Sequence, residues 1–320
     1  MSIRTNSVAI VGAGIAGLAA ARTLTSVGIE AIVFEKSRGL GGRMATRRTG
    51  SHEFDHGAQY FTAKGEAFRA AVAEWGRTGV IAAWGDDRFV GTPGMTAPAR
   101  ALADGIEVVH GAQVSQLVRD EDGGWTLRSA DGLAGSPANR SFDAVILAVP
   151  APQALPLATT AGIALEQLRE VRMAPCWALL IGAAQRISIP GGAMRPDDPV
   201  IAWIADNTSK PGRTASGSSV VVHATPEWSR NNLQLEPEAA AAALLEQARR
   251  LVPIDPNPTY LAAHRWRFAL VEKAVGEPCL WNATARLGAC GDWCMGPRVE
   301  AAFDSGEAMA RVVLESMGGG

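Results

Sequence analysis

Three glycines, Gly12, Gly14 and Gly17, stand between the apolar run Val8-Ala9-Ile10-Val11 and an alanine-rich stretch, in the segment VGAGIAGLAAA from Val11 to Ala21. This is the pattern of a strand that turns sharply into a helix. Gly12 permits the tight turn, Gly14 lets a pyrophosphate approach the backbone, and Gly17 lets the helix lie close against the strand. Gly12, Ala13, Gly14, Ile15, Ala16 and Gly17 then form a cradle whose free helix N–H groups and positive dipole end suit an anion. An anionic dinucleotide is the expected occupant.

A glycine triplet alone is weak in a chain with 35 glycines, so its surroundings decide. A second β-type run, Ala31-Ile32-Val33-Phe34, follows the helix and ends at Glu35, 18 residues beyond Gly17. That is near the roughly 20-residue spacing of the acid that binds a ribose. Glu35, with Lys36 beside it, is assigned to the adenosine end, where its carboxylate repels a 2′-phosphate. NADP is therefore a poor occupant of this turn.

Past Glu35 lies a second glycine-rich loop, Arg38-Gly39-Leu40-Gly41-Gly42-Arg43. A nicotinamide dehydrogenase needs no second phosphate loop here, whereas a longer dinucleotide does. Arg38 and Arg43 offer guanidinium forks, and Gly42 lets the backbone pass close to the cofactor. Near the other end of the chain, Leu287 to Asp292 reads as a short strand ending in an acid, and Met295 to Glu300 opens a helix running to about residue 316. Asp292 suits ribityl hydroxyls or the pyrophosphate. The N–H groups around Val299 suit a flavin carbonyl, because the helix dipole stabilises negative charge on a reduced ring. The three segments together indicate FAD.

With 320 residues, 47% hydrophobic and 19% charged, the chain is an ordinary globular protein of one large domain or two smaller ones. Its net charge of −2 argues against nucleic acid or an anionic membrane surface as partner. No signal-peptide pattern precedes the first strand, and the apolar stretches belong to the nucleotide turn, so a cytoplasmic protein is expected. The cysteines Cys176, Cys279, Cys290 and Cys294 are too scattered for a disulfide framework. The Cys290/Cys294 spacing lacks a second ligand pair, so no metal is expected.

Between the cofactor segments, a helix is predicted near 64–77 with Phe68, Val72 and Trp75 as core, and another over 94–104. A strand over 106–109 leads into a meander through 114–118 and 125–128. Phe142 to Val149 reads as a buried parallel strand that rejoins the first sheet. Further β-type runs at 177–182, 200–205, 219–224 and 259–266, with an alanine-rich helix near 237–251, predict an inserted sheet. The expected fold is α/β with an α+β insertion. A Rossmann-like FAD-binding domain is drawn from 1–55, 92–150 and 285–320, and a substrate domain with a mixed or antiparallel sheet from 56–91 and 151–284.

These segments resemble the FAD-dependent amine-oxidase superfamily, and more narrowly its renalase-like bacterial branch. The wider likeness rests on VGAGIAGLAAA with Glu35, EKSRGLGGR and the terminal GDW…GPRVEAAFDSGEAMA; the narrower rests on GGRMATRR, FDHGAQYFTA, WIADNTSKPGR and HRWRFA. The resemblance implies a non-covalent FAD held by Gly12, Gly14, Gly17, Glu35, Arg43, Val114 and Asp292. His56, Gly57, Ala58, Gln59 and Tyr60 would pass beside the flavin, where substrate also sits. None of the four cysteines lies in the pattern that tethers FAD in monoamine oxidases.

The resemblance also implies oxidation of the 2- and 6-dihydro isomers of NAD(P)H by hydride transfer to flavin N5, with O2 reduced to H2O2. Such a step asks the site to stack two rings and exclude water rather than to supply a base, and His264 is the lone base candidate. Tyr60, Trp203 and Trp266 are the aromatic candidates for the pocket, and Lys210, Arg213, Arg265 and Arg267 for the phosphates of a dinucleotide substrate. Two other readings stay open. One is an amine oxidase acting on small amines or polyamines, which would want an aromatic cage although the chain has only Tyr60 and Tyr260 as tyrosines. The other is a non-catalytic FAD-binding redox sensor.

Overall fold

The N-terminal apolar run forms strand β1 (Ser7–Val11), with every residue buried. The computed structural model describes residues 6–129, 140–214 and 217–318. After β1 the chain turns into helix α1 (Ile15–Ser26) and returns as β2 (Glu30–Glu35), parallel to β1. A hairpin of β3 (Thr46–Thr49) and β4 (His52–Asp55) follows, then α2 (Glu66–Arg77), a ladder of β5 (Ile81–Ala83) and β6 (Phe89–Gly91), and α3 (Ala97–Ala103). Strand β7 (Glu107–His110) joins β2 in parallel, β8 (Val114–Arg119) and β9 (Trp125–Ser129) pair with each other, and β10 (Ala144–Leu147) lies parallel to β1 and leads into α4 (Ala151–Thr160).

The next stretch builds a separate antiparallel sheet from β11 (Arg172–Ala183), β12 (Ala193–Met194), β13 (Ile201–Asp206), β14 (Ser218–Ala224) and β15 (Tyr260–Lys273). Between β14 and β15 come the short α5 (Pro226–Asn231) and the alanine-rich α6 (Pro237–Arg249). The chain then returns to the first sheet as β16 (Leu280–Asn282) and β17 (Leu287–Ala289), and ends in α7 (Val299–Gly318). The sheet orders are β16-β17-β10-β1-β2-β7 and β12-β13-β14-β11-β15.

Strand periodicity assigns each side chain a layer. In β1, Val8 and Ile10 point to the core beneath α1 and α7, while Ala9 and Val11 point to the core beneath α4 and the β8–β9 ribbon. Both faces are dry, which is why these strands read as continuous apolar runs. In β11, Trp177, Leu179 and Ile181 pack on α6, whereas Ala178 and Leu180 turn to Phe54 on the opposite face. That second face looks toward the nucleotide-binding half, and so the space between the sheets has one wall from each.

Two sequence expectations change in detail. The strand near 106–109 does not run into a meander; it pairs with β2, and β8–β9 form their own ribbon, set over the core by buried Leu117, Trp125 and Leu127. The apolar run 142–149 contributes only Ala144–Leu147, because Pro150 already caps the start of α4.

Candidate active site

A cavity of about 500 Å³ lies between the two sheets. Its lining includes Gly14, Ile15 and Ala16 from the start of α1, Arg43, the run His56-Gly57-Ala58-Gln59-Tyr60, Trp203, Trp266, Asp292 and Val299. These residues come from the N-terminal segment, the second sheet and the C-terminal segment.

At the dinucleotide end the glycines are there for space. Gly12 has φ of +109°, and a Cβ on Gly17 would stand 2.1 Å from the Gly12 carbonyl oxygen and 2.9 Å from the Ala148 side chain, so only glycine lets α1 approach the turn. A Cβ on Gly14 meets no protein atom within 4 Å, since that position opens on the cavity. The first helical bond of α1 runs from the Leu18 N–H to the Gly14 carbonyl at 3.0 Å, which leaves the amides of Ile15, Ala16 and Gly17 without helical partners. The second glycine loop docks on the first through the Gly41 N–H and the Ala13 carbonyl at 2.9 Å, and a Cβ on Gly42 would stand 3.7 Å from the Gly14 Cα.

Glu35 is buried and braces this turn: one carboxylate oxygen accepts the Ala13 N–H at 2.9 Å and the other the Ser37 N–H at 2.8 Å. Its own carbonyl accepts the Ala112 N–H at 2.9 Å, bringing the approach to Val114 beside it. Val114 itself is buried and does not line the cavity, and Lys36 and Arg38 lie exposed.

At the opposite end, both terminal nitrogens of Arg43 donate to the two oxygens of Asp292 at 2.7 Å. The Arg43 fork, expected on phosphate, is therefore spent on a carboxylate 249 residues away. In α7 the first helical bond runs from Ala302 N–H to the Arg298 carbonyl at 3.2 Å, so the amides of Val299, Glu300 and Ala301 have no helical partner. The Glu300 side chain turns away and accepts the N–H groups of Lys64 and Gly65. A long cavity with an unpaired helix N-terminus at each end and a buried acid at its adenosine end fits FAD. Gly14, Ile15 and Ala16 would hold its phosphates, with Asp292 and Val299 at the flavin half.

The second sheet supplies the wall over that half. On β15, His264 and Trp266 share the inner face, while Arg265 points outward, donates to the Leu233 carbonyl at 2.7 Å and lies over Trp177 with 5.4 Å to the ring centre. Arg265 therefore stands apart from the cavity. The Trp266 indole N–H donates to the His56 carbonyl at 2.9 Å, and His223 Nε2 meets the same oxygen at 3.2 Å. The His56 ring lies 4.8 Å from His264 and 5.1 Å from Trp266, and Tyr60 stands 5.7 Å from Trp203.

Burial, followed by the neighbouring His264, lowers the His56 pKa to about 3. Burial likewise lowers His223 and His264 to about 4, with the Arg47 cation adding to the effect on His264. All three imidazoles are neutral at pH 7. Burial also pushes the Cys176 thiol, on the cavity wall, up to about 12.

Lys210 and Arg213, expected to meet substrate phosphates, do not. Lys210 Nζ and Arg213 Nη2 reach Asp55 Oδ2 at 2.9 and 2.6 Å, and all three side chains are essentially sealed from solvent. Burial drives the Asp55 carboxyl upward, but the two cations more than reverse this and hold it well below the usual range. Lys210 also donates to Gln59 Oε1 at 3.2 Å, which Asn207 shares at 3.0 Å, so the cluster fixes Gln59 in the cavity wall. Arg267 is exposed and lies off the lining.

Of the basic side chains on the lining, sequence reasoning missed Arg195, His223 and Arg298. Only the strand register of β13 and β14 signals His223, which sits opposite Trp203. Among the described residues no helix is long and apolar enough to cross a membrane, and no group of three or more His, Cys, Asp and Glu gathers to hold a metal ion.

Comparison with known proteins bears on the whole chain. The model of the flavin containing amine oxidoreductase family matches residues 65–314, and that of the NAD(P)-binding Rossmann-like domain matches residues 10–75. Renalase of Mus musculus is 25% identical over 302 residues, covering 84% of this chain and 86% of its own. A putative flavin-containing monoamine oxidase of Mycobacterium tuberculosis is 43% identical over 72 residues, covering 22% of this chain and 16% of its own. The same fold appears in a putative protoporphyrinogen oxidase from Exiguobacterium, with TM-score 0.76, 14% identity and coverage of 98% and 100% of the two chains. It appears also in cyclohexylamine oxidase from Brevibacterium oxydans, with TM-score 0.71, 15% identity and coverage of 98% and 100%. With its Rossmann-like dinucleotide turn and its cavity between two sheets, this chain belongs to the flavin-containing amine oxidoreductase family and is an FAD-dependent oxidoreductase.

Proposed function

We propose that the protein oxidises the 2- or 6-dihydro isomers of NAD(P)H, as its likeness to renalase suggests, returning the electrons to O2. The balance is dihydropyridine plus O2 plus a proton giving pyridinium plus H2O2. When bound, the flavin supplies the two-electron acceptor for a hydride leaving carbon and passes the pair on to O2. The chain's own part is to bind, orient and keep dry. Trp266 is tied to His56 through the His56 carbonyl, with the two rings tilted by 32°, and Tyr60 and Trp203 form the other aromatic wall.

The observation that carries the reading is the absence of base chemistry on the described lining. Its two histidines, His56 and His223, are made weak bases by burial, with pKa values near 3 and 4, and its one carboxylate, Asp292, is committed to Arg43. Hydride loss from a dihydropyridine yields an aromatic cation directly and asks for no base. A small neutral amine would want a cage of aromatics, and of the two tyrosines only Tyr60 lines the cavity, which speaks against the small-amine reading. The same reading places residues 1–55, 92–150 and 285–320 with the cofactor and 56–91 and 151–284 with the substrate, and its four free cysteines suit the reducing cytoplasm.

Anaerobic mixing tests the proposal. 6-Dihydro-NAD should bleach the flavin at least about tenfold faster than ordinary NADH or putrescine does, a rate ratio equal to about 1.4 kcal/mol in barrier. Equal rates for the two dinucleotides, or faster bleaching by the amine, would sink it.

A further inference from the structure

None of the four cations expected on substrate phosphates lines the cavity, whereas a fifth, at its mouth, does. Arg195 follows β12, is exposed, and lines the cavity beside Trp203 and His223. Its guanidinium carbon lies 4.8 Å from the Trp203 ring centre, and one nitrogen donates to the Tyr60 hydroxyl at 3.2 Å. Stacked and tethered in this way, the planar fork is held in place, and no other hydrogen bond among the described residues uses its remaining N–H groups.

The charge around the cavity makes this cation stand out. The lining carries three arginines, Arg43, Arg195 and Arg298, and one acid, Asp292. Arg43 and Asp292 neutralise each other, and Arg298 has Glu300 at 4.0 Å. Arg195 ion-pairs with no carboxylate among the described residues. His223 nearby stays neutral, with Arg195 among the charges that keep it so. The substrate end thus presents one unpaired positive charge, carried on the two aromatic residues that wall the pocket.

We infer that Arg195 is the specificity-determining residue of this site and selects a phosphoryl-bearing substrate by meeting its phosphate oxygens at the pocket mouth. The inference deepens the proposed oxidation of a dihydro-nicotinamide dinucleotide and rests on that reading for the identity of the reacting ring. The oxidised carbon lies inside against the aromatic wall, and the pyrophosphate stays at the rim. An exposed arginine in a fixed pose can then bind it at a smaller desolvation penalty than a buried cation would incur.

The test compares 6-dihydro-NAD with a phosphate-free N-alkyl dihydronicotinamide on the FAD-loaded enzyme, for wild type, Arg195→Ala and Arg195→Lys. Wild type should prefer the dinucleotide in kcat/KM, with KM rising as salt is added. Arg195→Ala should shrink that preference about ten- to a hundredfold through KM, the range expected for a charge-assisted contact, and Arg195→Lys should restore part of it. In parallel, binding of ADP-ribose is followed through the flavin absorbance spectrum, which needs no turnover. Loss of ADP-ribose affinity in Arg195→Ala supports the inference even if no dihydro isomer is oxidised, in which case only the proposed reaction falls. Equal losses on both substrates, or ADP-ribose binding as tight as in wild type, would overturn the inference whatever the enzyme oxidises.

Discussion

His56 is buried with its Nδ1 unpartnered among the described residues, an arrangement that suits a neutral ring and penalises a charged one. The consequence for acid stability has a definite sign. Its pKa falls from 6.5 in the unfolded chain to about 3 in the fold, so between those values the unfolded chain binds the extra proton and the fold loses stability as pH falls. His56 alone contributes a slope of up to about 1.4 kcal/mol per pH unit in that window, and His223 and His264 act in the same direction. Thermal melts should therefore show Tm falling steadily from pH 6.5 to pH 4.5. His56→Gln, which cannot titrate, should flatten the fall. A Tm independent of pH across this range would contradict the burial of the three rings.

The nucleotide turn separates two jobs that a sequence motif runs together. Gly17→Ala places a methyl 2.1 Å from a carbonyl oxygen, so it should lower stability by about 1–3 kcal/mol or more as α1 is pushed off the turn. Gly14→Ala meets no protein atom, and should leave the melting curve near wild type while lowering flavin occupancy after purification, because its methyl enters the space the phosphates would take. Melting temperature and the ratio of absorbance at 450 to 280 nm read the two effects apart. If both variants lose stability equally, the division fails. This element was legible in the sequence because its whole geometry is local: strand, three glycines, helix and acid follow one another within residues 8–35. Arg265 was not legible in the same way. Strand alternation in β15 sends His264 and Trp266 inward and Arg265 outward, and the sequence HRW does not say which parity faces the cavity.

At the scale of the molecule, the connections that organise the site are long. Asp55, at the end of the β3–β4 hairpin, holds Lys210 and Arg213, which lie beyond β13, across 155 and 158 residues. Read along the chain, those cations look like ligands for substrate phosphates; only the fold reveals that they neutralise a buried carboxylate. Asp55→Asn should cost about 3–5 kcal/mol, because it leaves two buried cations without their counter-charge. It should also loosen Gln59 in the cavity wall, measured as a lower Tm together with an altered flavin spectrum; a Tm within 2 °C of wild type, roughly 1 kcal/mol or less by the usual scaling, would refute the assignment. The Arg43–Asp292 pair was hidden for the same reason. Each residue was legible as a cofactor contact, but their mutual fork spans 249 residues and no local pattern encodes it.

The same long closure bears on how the protein is made. β17 completes the flank of the parallel sheet against β10, Asp292 anchors Arg43, and α7 packs on α1. Until Asp292 and the start of α7 have joined the fold, the chain has the glycine turn but not the second helix N-terminus, so it offers only half a cradle. Cofactor capture then reports on that closure, and a yellow protein is one in which the glycine turn and the Asp292 segment have met.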